Sequence, residues 1–129
     1  MSDLLLDTQA MLWFFWDDPL LSATARAEVE NPGNRKLVSI ACCWETAIKA
    51  GLKKLELGSS CTAFLSREIS RNNFELLPIT FEHATLVETL PGHHRDPFDR
   101  LLVSQAIVEG ATLVTRDRAL NAYGVPTLW

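Results

Sequence analysis

The sequence predicts an α/β fold in three layers, a parallel sheet with helices on both faces. Short apolar runs alternate with stretches of helical pattern along the whole chain, which points to strand–helix–strand crossovers. Runs such as "DLLLD" (3–7) and "KLVSI" (36–40) read as buried strands of the kind parallel sheets use. At 129 residues, 47% of them apolar, the chain suits a single domain over 1–129 with one sizeable core.

The elements follow in order. "DLLLD" (3–7) is a strand bounded by acids, and "TQAMLWFFW" (8–16) is a helix broken by "DDPL" at Pro19. Ser22 caps a helix through "ATARAEVE", which "NPGN" (31–34) ends. After the second strand, Ile40, Trp44, Ala47, Ile48, Gly51, Leu52 and Leu55 recur at helical spacing and form one apolar stripe on a helix from about 41 to 55. A further helix covers 60–72. "FELLPI" (74–79) is a third strand, with Pro78 marking an edge position. Helices at 81–90 and 97–110 follow, the second stopped by Gly110. "TLVT" (112–115) is a fourth strand, 117–124 a short helix, and "PTLW" (126–129) an edge strand.

Composition narrows the function classes. A net charge of −4 disfavours a protein that coats nucleic acid by bulk electrostatics, although a basic rim can surround an acidic centre. No apolar run approaches the roughly 20 residues of a membrane span. The N-terminal "MSDLLLDTQ" has no basic region or cleavage site of a signal peptide. Cys42, Cys43 and Cys61 have no metal-ligand spacing and read as buried thiols. The expectation is a cytoplasmic protein with no membrane association.

In such sheets, sites form at the carboxyl ends of the strands where the strand order reverses. Carboxylates stand there. Asp7 ends the first strand, Glu45 lies in the first turns of the helix after the second, Asp96 and Asp99 open the helix feeding the fourth, and Asp117 follows the fourth. Each has a plain structural reading. Asp7 or Thr8 caps the first helix, Asp96 caps the 97–110 helix with Pro97 at N1, Asp117 caps the last helix, and Glu45 pairs with Lys49 one turn on. Caps alone leave like charges concentrated at one edge without a counter-ion. An all-oxygen site suits Mg²⁺ or Mn²⁺, and two such ions serve phosphodiester cleavage. A helix N-terminus accommodates both readings.

The segments "LLLDTQAMLWF" (4–14), "SIACCWETAIKAGLKKL" (39–55), "LPITFEHA" (77–84), "LPGHHRDPFDRLLVSQAIVEGATLVTRD" (90–117) and "YGVPTLW" (123–129) together resemble PIN-domain ribonucleases of the VapC type, the toxins of bacterial toxin–antitoxin pairs. "HRDPFDRLLVSQA" is the most specific of them. The resemblance implies a PIN-like fold and matches Asp7 to the family's first aspartate. Glu45 matches the glutamate of its "S-x-x-x-W-E" segment, Asp99 the aspartate of "D-R-L-L", and Asp117 that of "T-x-D", with Thr115 as the accompanying hydroxyl. Asp96 is an accessory acid and Thr8 adjoins the site. The activity implied is metal-dependent cleavage of RNA by an activated water, with Asp7, Glu45, Asp99 and Asp117 as metal ligands. A homodimer silenced by a cognate antitoxin is implied as well.

Other residues extend the expectation. Arg95, Arg100 and Arg116, with Arg118, stand ready to steady RNA phosphates or to pair with neighbouring acids. His93 and His94 suit a solvated loop or substrate contact, and His83 lies on a helix beside Glu82. "MLWFFW" (11–16) has too many large rings for one helix face, so some of Trp13, Phe14, Phe15 and Trp16 either make a broad core contact under the following helix or lie exposed as a dimer or antitoxin surface. An antitoxin is expected to anchor near Trp13–Trp16 and to insert a basic side chain toward Asp7, Glu45 and Asp99. A receiver domain matches less well, because a single acid follows the first strand, "LLPITFEH" has no aspartate after the third, and "PTLW" lacks the closing lysine. An Asp-x-Asp phosphatase is excluded by "DTQ" after Leu6. A housekeeping PIN-type RNA-processing nuclease and a non-catalytic α/β binding or receiver-like domain are the alternatives.

Overall fold

The computed structural model describes residues 2–93 and 95–129. Five strands form one sheet in the order β3-β2-β1-β4-β5, and every pairing is parallel. They are β1 (Asp3–Leu6), β2 (Arg35–Ser39), β3 (Glu75–Leu77), β4 (Thr112–Val114) and β5 (Thr127–Leu128). The chain winds outward through β1, β2 and β3, then returns to build β4 and β5 on the other side of β1. The order therefore reverses beside β1, the expected position of a site.

Helices α1 (Thr8–Phe15), α2 (Ala23–Glu30), α3 (Ile40–Gly51), α4 (Cys61–Arg71), α5 (Phe81–Leu86) and α6 (Pro97–Glu109) connect the strands. Leu4, Leu5 and Leu6 point alternately to opposite faces of the sheet, yet all three are buried. Both faces of β1 are thus covered, as the continuous apolar run predicts. Caps mark the helix starts: Asp7, Ser22, Ser39, Ser60, Thr80 and Asp96 each accept a backbone N–H of the first turn. At the end of α6, Gly110 takes the left-handed conformation (φ 65°) and stops the helix where expected. Pro78 falls just past β3, which is an edge strand.

One expectation needs correction. The stripe on α3 does not face the core. The buried residues of α3 are the small Ala41, Cys42 and Thr46, which let it sit close to its neighbours, with the Thr46 hydroxyl turned back onto the Cys42 carbonyl (2.7 Å). Trp44 (61% exposed), Ile48 and Leu52 project outward, and the helix ends at Gly51 rather than 55. Of the two readings of "MLWFFW", the core contact holds for most of its rings. Trp13 and Phe15 are buried and Phe14 is packed against the core, leaving Trp16 partly outside.

All three cysteines are free, and only Cys42 is buried. Burial pushes the Cys42 thiol well above its ordinary value and Cys43 up to about 11, so neither supplies a reactive thiolate at neutral pH. Among the described residues no helix is long and apolar enough to cross a membrane.

Candidate active site

The register builds the site. Leu6 stands opposite Val38 on one side and Val114 on the other, so the carboxyl ends of β2, β1 and β4 are level. One residue further on, Asp7 lies in a row between Ser39 and Thr115. Its backbone N–H continues the ladder to the Val114 carbonyl (3.1 Å).

Asp7 caps α1, its Oδ1 accepting the Ala10 N–H at 2.8 Å. Burial raises its carboxyl above the ordinary value. Hydrogen bonds from the Thr115 side chain and the Ala10 backbone oppose that rise, while the charges of Glu45 and Asp117 add to it. Two acids from distant parts of the chain therefore bear on Asp7 at this edge.

Thr8, the first residue of α1, donates its hydroxyl to Glu45 Oε1 at 2.5 Å. The other Glu45 oxygen pairs with Lys49 Nζ at 3.1 Å, one turn along α3. Asp7, Thr8, Gln9, Glu45, Lys49, Asp99 and Leu102 line one cleft of about 110 Å³. Asp117 closes the row beyond Thr115. Its backbone N–H donates to Thr115 Oγ1 (3.1 Å), and its carboxylate caps the 3₁₀ turn Arg118–Tyr123 through the Ala119 N–H (3.0 Å). Asp96 caps α6 through the Phe98 N–H at 2.9 Å.

The cap and site readings therefore coexist. A capping bond takes one acceptor position, and a carboxylate has about four. The donor set is all oxygen and like-charged around a partly buried carboxylate, which fits a hard divalent cation. Among the described residues, no three His, Cys, Asp or Glu side chains are already gathered as a finished cage. In this arrangement Lys49 supplies the cation beside Glu45.

The basic residues separate. Arg100, expected at RNA phosphate, instead clamps the segment before α6. Its guanidinium donates to the carbonyls of Pro91 (2.8 Å), Val87 (3.2 Å) and Leu90 (3.3 Å), and so is taken up by protein. Arg116 lies over the Trp13 ring, 5.9 Å from its centroid, and Trp13 packs on Trp129. Arg95 and Arg118 are exposed. His83 lies on α5, as read from the sequence. It is buried, with Nε2 2.9 Å from Glu109 Oε2. His93 stacks edge-on against Tyr123, and His94 lies outside the described residues.

Sequence reasoning missed Lys49 and Gln9 as cleft residues. The i,i+4 spacing of Glu45 and Lys49 was visible, but it reads as a surface pair. Gln9 carries no signal in the sequence beyond following Asp7 and Thr8.

Comparison with known proteins gives a consistent result. Residues 4–126 match the family model described as PIN domain. Ribonuclease VapC22 of Mycobacterium tuberculosis is 28% identical over 133 residues, covering 100% of each chain. Among solved structures, VapBC2 from Rickettsia felis bound to a DNA fragment from its promoter aligns with a TM-score of 0.74 at 19% identity, over 98% of this chain and 97% of that one. DNA-bound VapBC from Salmonella typhimurium aligns at 0.72 and 19%, over 99% and 98%. Identities of that size carry the fold.

Proposed function

This chain belongs to the PIN-domain family, and on that premise we propose that it is a Mg²⁺- or Mn²⁺-dependent endoribonuclease, the toxin of a toxin–antitoxin pair, acting as one domain over 1–129. The observation that carries the reading is Asp7, a partly buried carboxylate within reach of the Glu45 and Asp117 charges, sharing one cleft with Glu45 and Asp99. Structural caps need no such convergence.

Asp7, Glu45, Asp99 and Asp117 would hold the metal. When bound, it supplies a Lewis acid that lowers the pKa of an attacking water and offsets charge on the phosphate. The protein's own groups do the rest. Thr8 fixes one Glu45 oxygen, and Thr115 orients Asp7 while accepting the Asp117 N–H. Asp96 anchors the start of α6 and so sets where Asp99 stands. The cleft of about 110 Å³ has room for a phosphate with several waters beside the acids. Arg95, Arg116 and Arg118 are the remaining candidates for the flanking phosphates.

The partners follow from surfaces and similarity. The outward face of α3 meets the N-terminus of α6, where Trp44 and Phe98 are 5.5 Å apart and line an apolar cleft of about 230 Å³ with Pro97 and Leu101. We assign this face to a second copy of the chain. The antitoxin reading rests on the VapBC complexes that share the fold. Lys49 beside Glu45 is a precedent within this chain for a basic side chain among these acids.

The test is RNA cleavage by purified protein with Mg²⁺ or Mn²⁺ and with excess chelator. Metal-dependent cleavage that Asp7→Asn and Asp99→Asn abolish supports the reading. Undiminished cleavage in chelator overturns it.

A further inference from the structure

Beneath the corner where β3, α5 and α6 meet lies a polar group set in the core. Ser39, His83, Ser104 and Gln105 are all 0% exposed. Their hydrogen bonds run in one direction only. The Thr80 backbone N–H donates to His83 Nδ1 (3.0 Å), so that nitrogen is unprotonated and Nε2 carries the proton toward Glu109. Gln105 Nε2 donates to the Pro78 carbonyl at 3.4 Å and lies 3.4 Å from His83 Nδ1, whose lone pair the Thr80 N–H already takes. Its amide oxygen must then turn the other way, where it accepts the Ser39 hydroxyl at 2.6 Å. Ser39 Oγ is committed as well, because it accepts the Ala41 N–H (3.0 Å) as the cap of α3.

The Ser39–Gln105 bond therefore pins the start of α3 to the middle of α6. Glu45 stands six residues after Ser39 on α3, and Asp99 six residues before Gln105 on α6. Each acid is about 9 Å along its helix from the pin. Leu102, midway between Asp99 and Gln105, lines the acid cleft itself.

We propose that Gln105 is a positioning residue for the candidate metal site, acting through Ser39 to fix the distance between Glu45 and Asp99. The inference rests on the reading of those acids as metal ligands. An apolar side chain of the same size would fill the space at less desolvation cost. It would leave the Ser39 hydroxyl and the Pro78 carbonyl without this partner and let α6 slide against α3. A directional buried bond specifies one register where packing alone tolerates several.

The experiment measures Mn²⁺ binding by calorimetry on RNA-free protein, together with kcat and KM for RNA cleavage, for wild type, Gln105→Met, Ser39→Ala and the double variant. Gln105→Met should keep the far-UV circular dichroism of the wild type, bind Mn²⁺ at least tenfold more weakly, and lower kcat while KM stays within about threefold. Ser39→Ala should lose at least as much, since it also removes the α3 cap, and the double variant should lose little more than Ser39→Ala alone, because Gln105→Met adds nothing once the pin is gone. If Gln105→Met does not fold, the same comparison on Ser39→Ala decides. Folded single variants that bind Mn²⁺ within twofold of wild type overturn this inference alone. A wild type that binds no Mn²⁺, or binding that survives Asp7→Asn and Asp99→Asn, overturns the site reading and this inference with it.

Discussion

The Thr8 hydroxyl reaches Glu45 Oε1 at 2.5 Å, joining the first residue of α1 to the second turn of α3 across 37 positions of sequence. Thr8 itself is buried, and the Glu45 side chain is 17% exposed. A hydrogen bond to a charged acceptor in such a setting contributes about 1.5–3 kcal/mol.

Replacing Thr8 by valine keeps the shape and removes that donor. Thr8→Val should lower kcat on the order of tenfold or more, as about 1.4 kcal/mol per decade requires, and Thr8→Ser should restore most of it. Steady-state kinetics on both variants is the check. Equal rates for Thr8→Val and wild type would show that Glu45 needs no such fixing.

Asp7→Asn separates charge from scaffold. The asparagine side chain caps α1 as well as aspartate does, so the helix start survives. The folded-state pKa of Asp7 lies above its ordinary value of about 3.8, chiefly through burial. Its contribution to stability is therefore complete below that ordinary value and is lost as pH rises through the folded value. In chelator near neutral pH, Asp7→Asn should melt higher than wild type, by roughly 3–5 °C if about 1 kcal/mol is relieved. The two should converge on acidification toward the ordinary value. Saturating Mn²⁺ should reverse the order, because only the wild type gains from binding. Melting curves across pH with and without Mn²⁺ test all three expectations.

Much of this was legible in the sequence, for local reasons. Strand positions follow from short apolar runs, and α2 and α6 from Ser22, Asp96, Pro97 and Gly110, whose cap chemistry needs no tertiary context. Asp7, Glu45, Asp99 and Asp117 were legible as acids following strands or opening helices. Facing directions were not. The large apolar residues of α3 look like a core stripe, yet the core takes Ala41, Cys42 and Thr46, because small side chains allow close approach. Arg100 sits in a polar run and looks exposed, but only tertiary folding brings the carbonyls of Val87, Leu90 and Pro91 around it. His83 was opaque for the same reason, since its partners Gln105 and Glu109 lie on another helix.

Arg100 gives a prediction opposite in kind to the acids. Arg100→Ala removes three backbone contacts from a segment that leads into α6. It should destabilise by about 2–4 kcal/mol in total and leave the salt dependence of RNA binding unchanged, because no phosphate contact is lost. A reduced salt slope with intact stability would return Arg100 to the substrate.

The outward face of α3 predicts a change of assembly. Trp44→Glu, combined with Ile48→Lys, places charge on an exposed apolar surface at no cost to the core of the monomer. Light scattering on the eluted protein should give the mass of one chain for the double variant and of two for the wild type, with similar circular dichroism. A wild type that elutes as one chain at high concentration would remove the second copy from that face.

Lys49 is the residue whose removal should act in two directions. Its ammonium is 3.1 Å from Glu45 and lines the cleft with Asp7 and Asp99, so in the metal-free protein it occupies the electrostatic role a cation would take. A divalent ion entering among these acids meets a like charge and weakens the Glu45–Lys49 pair. Lys49→Met should therefore raise Mn²⁺ affinity, by about two- to fivefold given the modest strength of a pair whose lysine is 42% exposed. The gain should shrink at high salt, since screening already weakens the repulsion. Cleavage should move the other way. Once the metal holds Glu45, Lys49 is the cation nearest the cleft for a phosphate, and its loss should raise KM for RNA while metal binding improves. Calorimetry with Mn²⁺ at two ionic strengths and KM measured at saturating metal separate the two effects. Lower Mn²⁺ affinity in Lys49→Met would mean that the lysine holds Glu45 in place for the ion, and the competition between lysine and metal would be wrong.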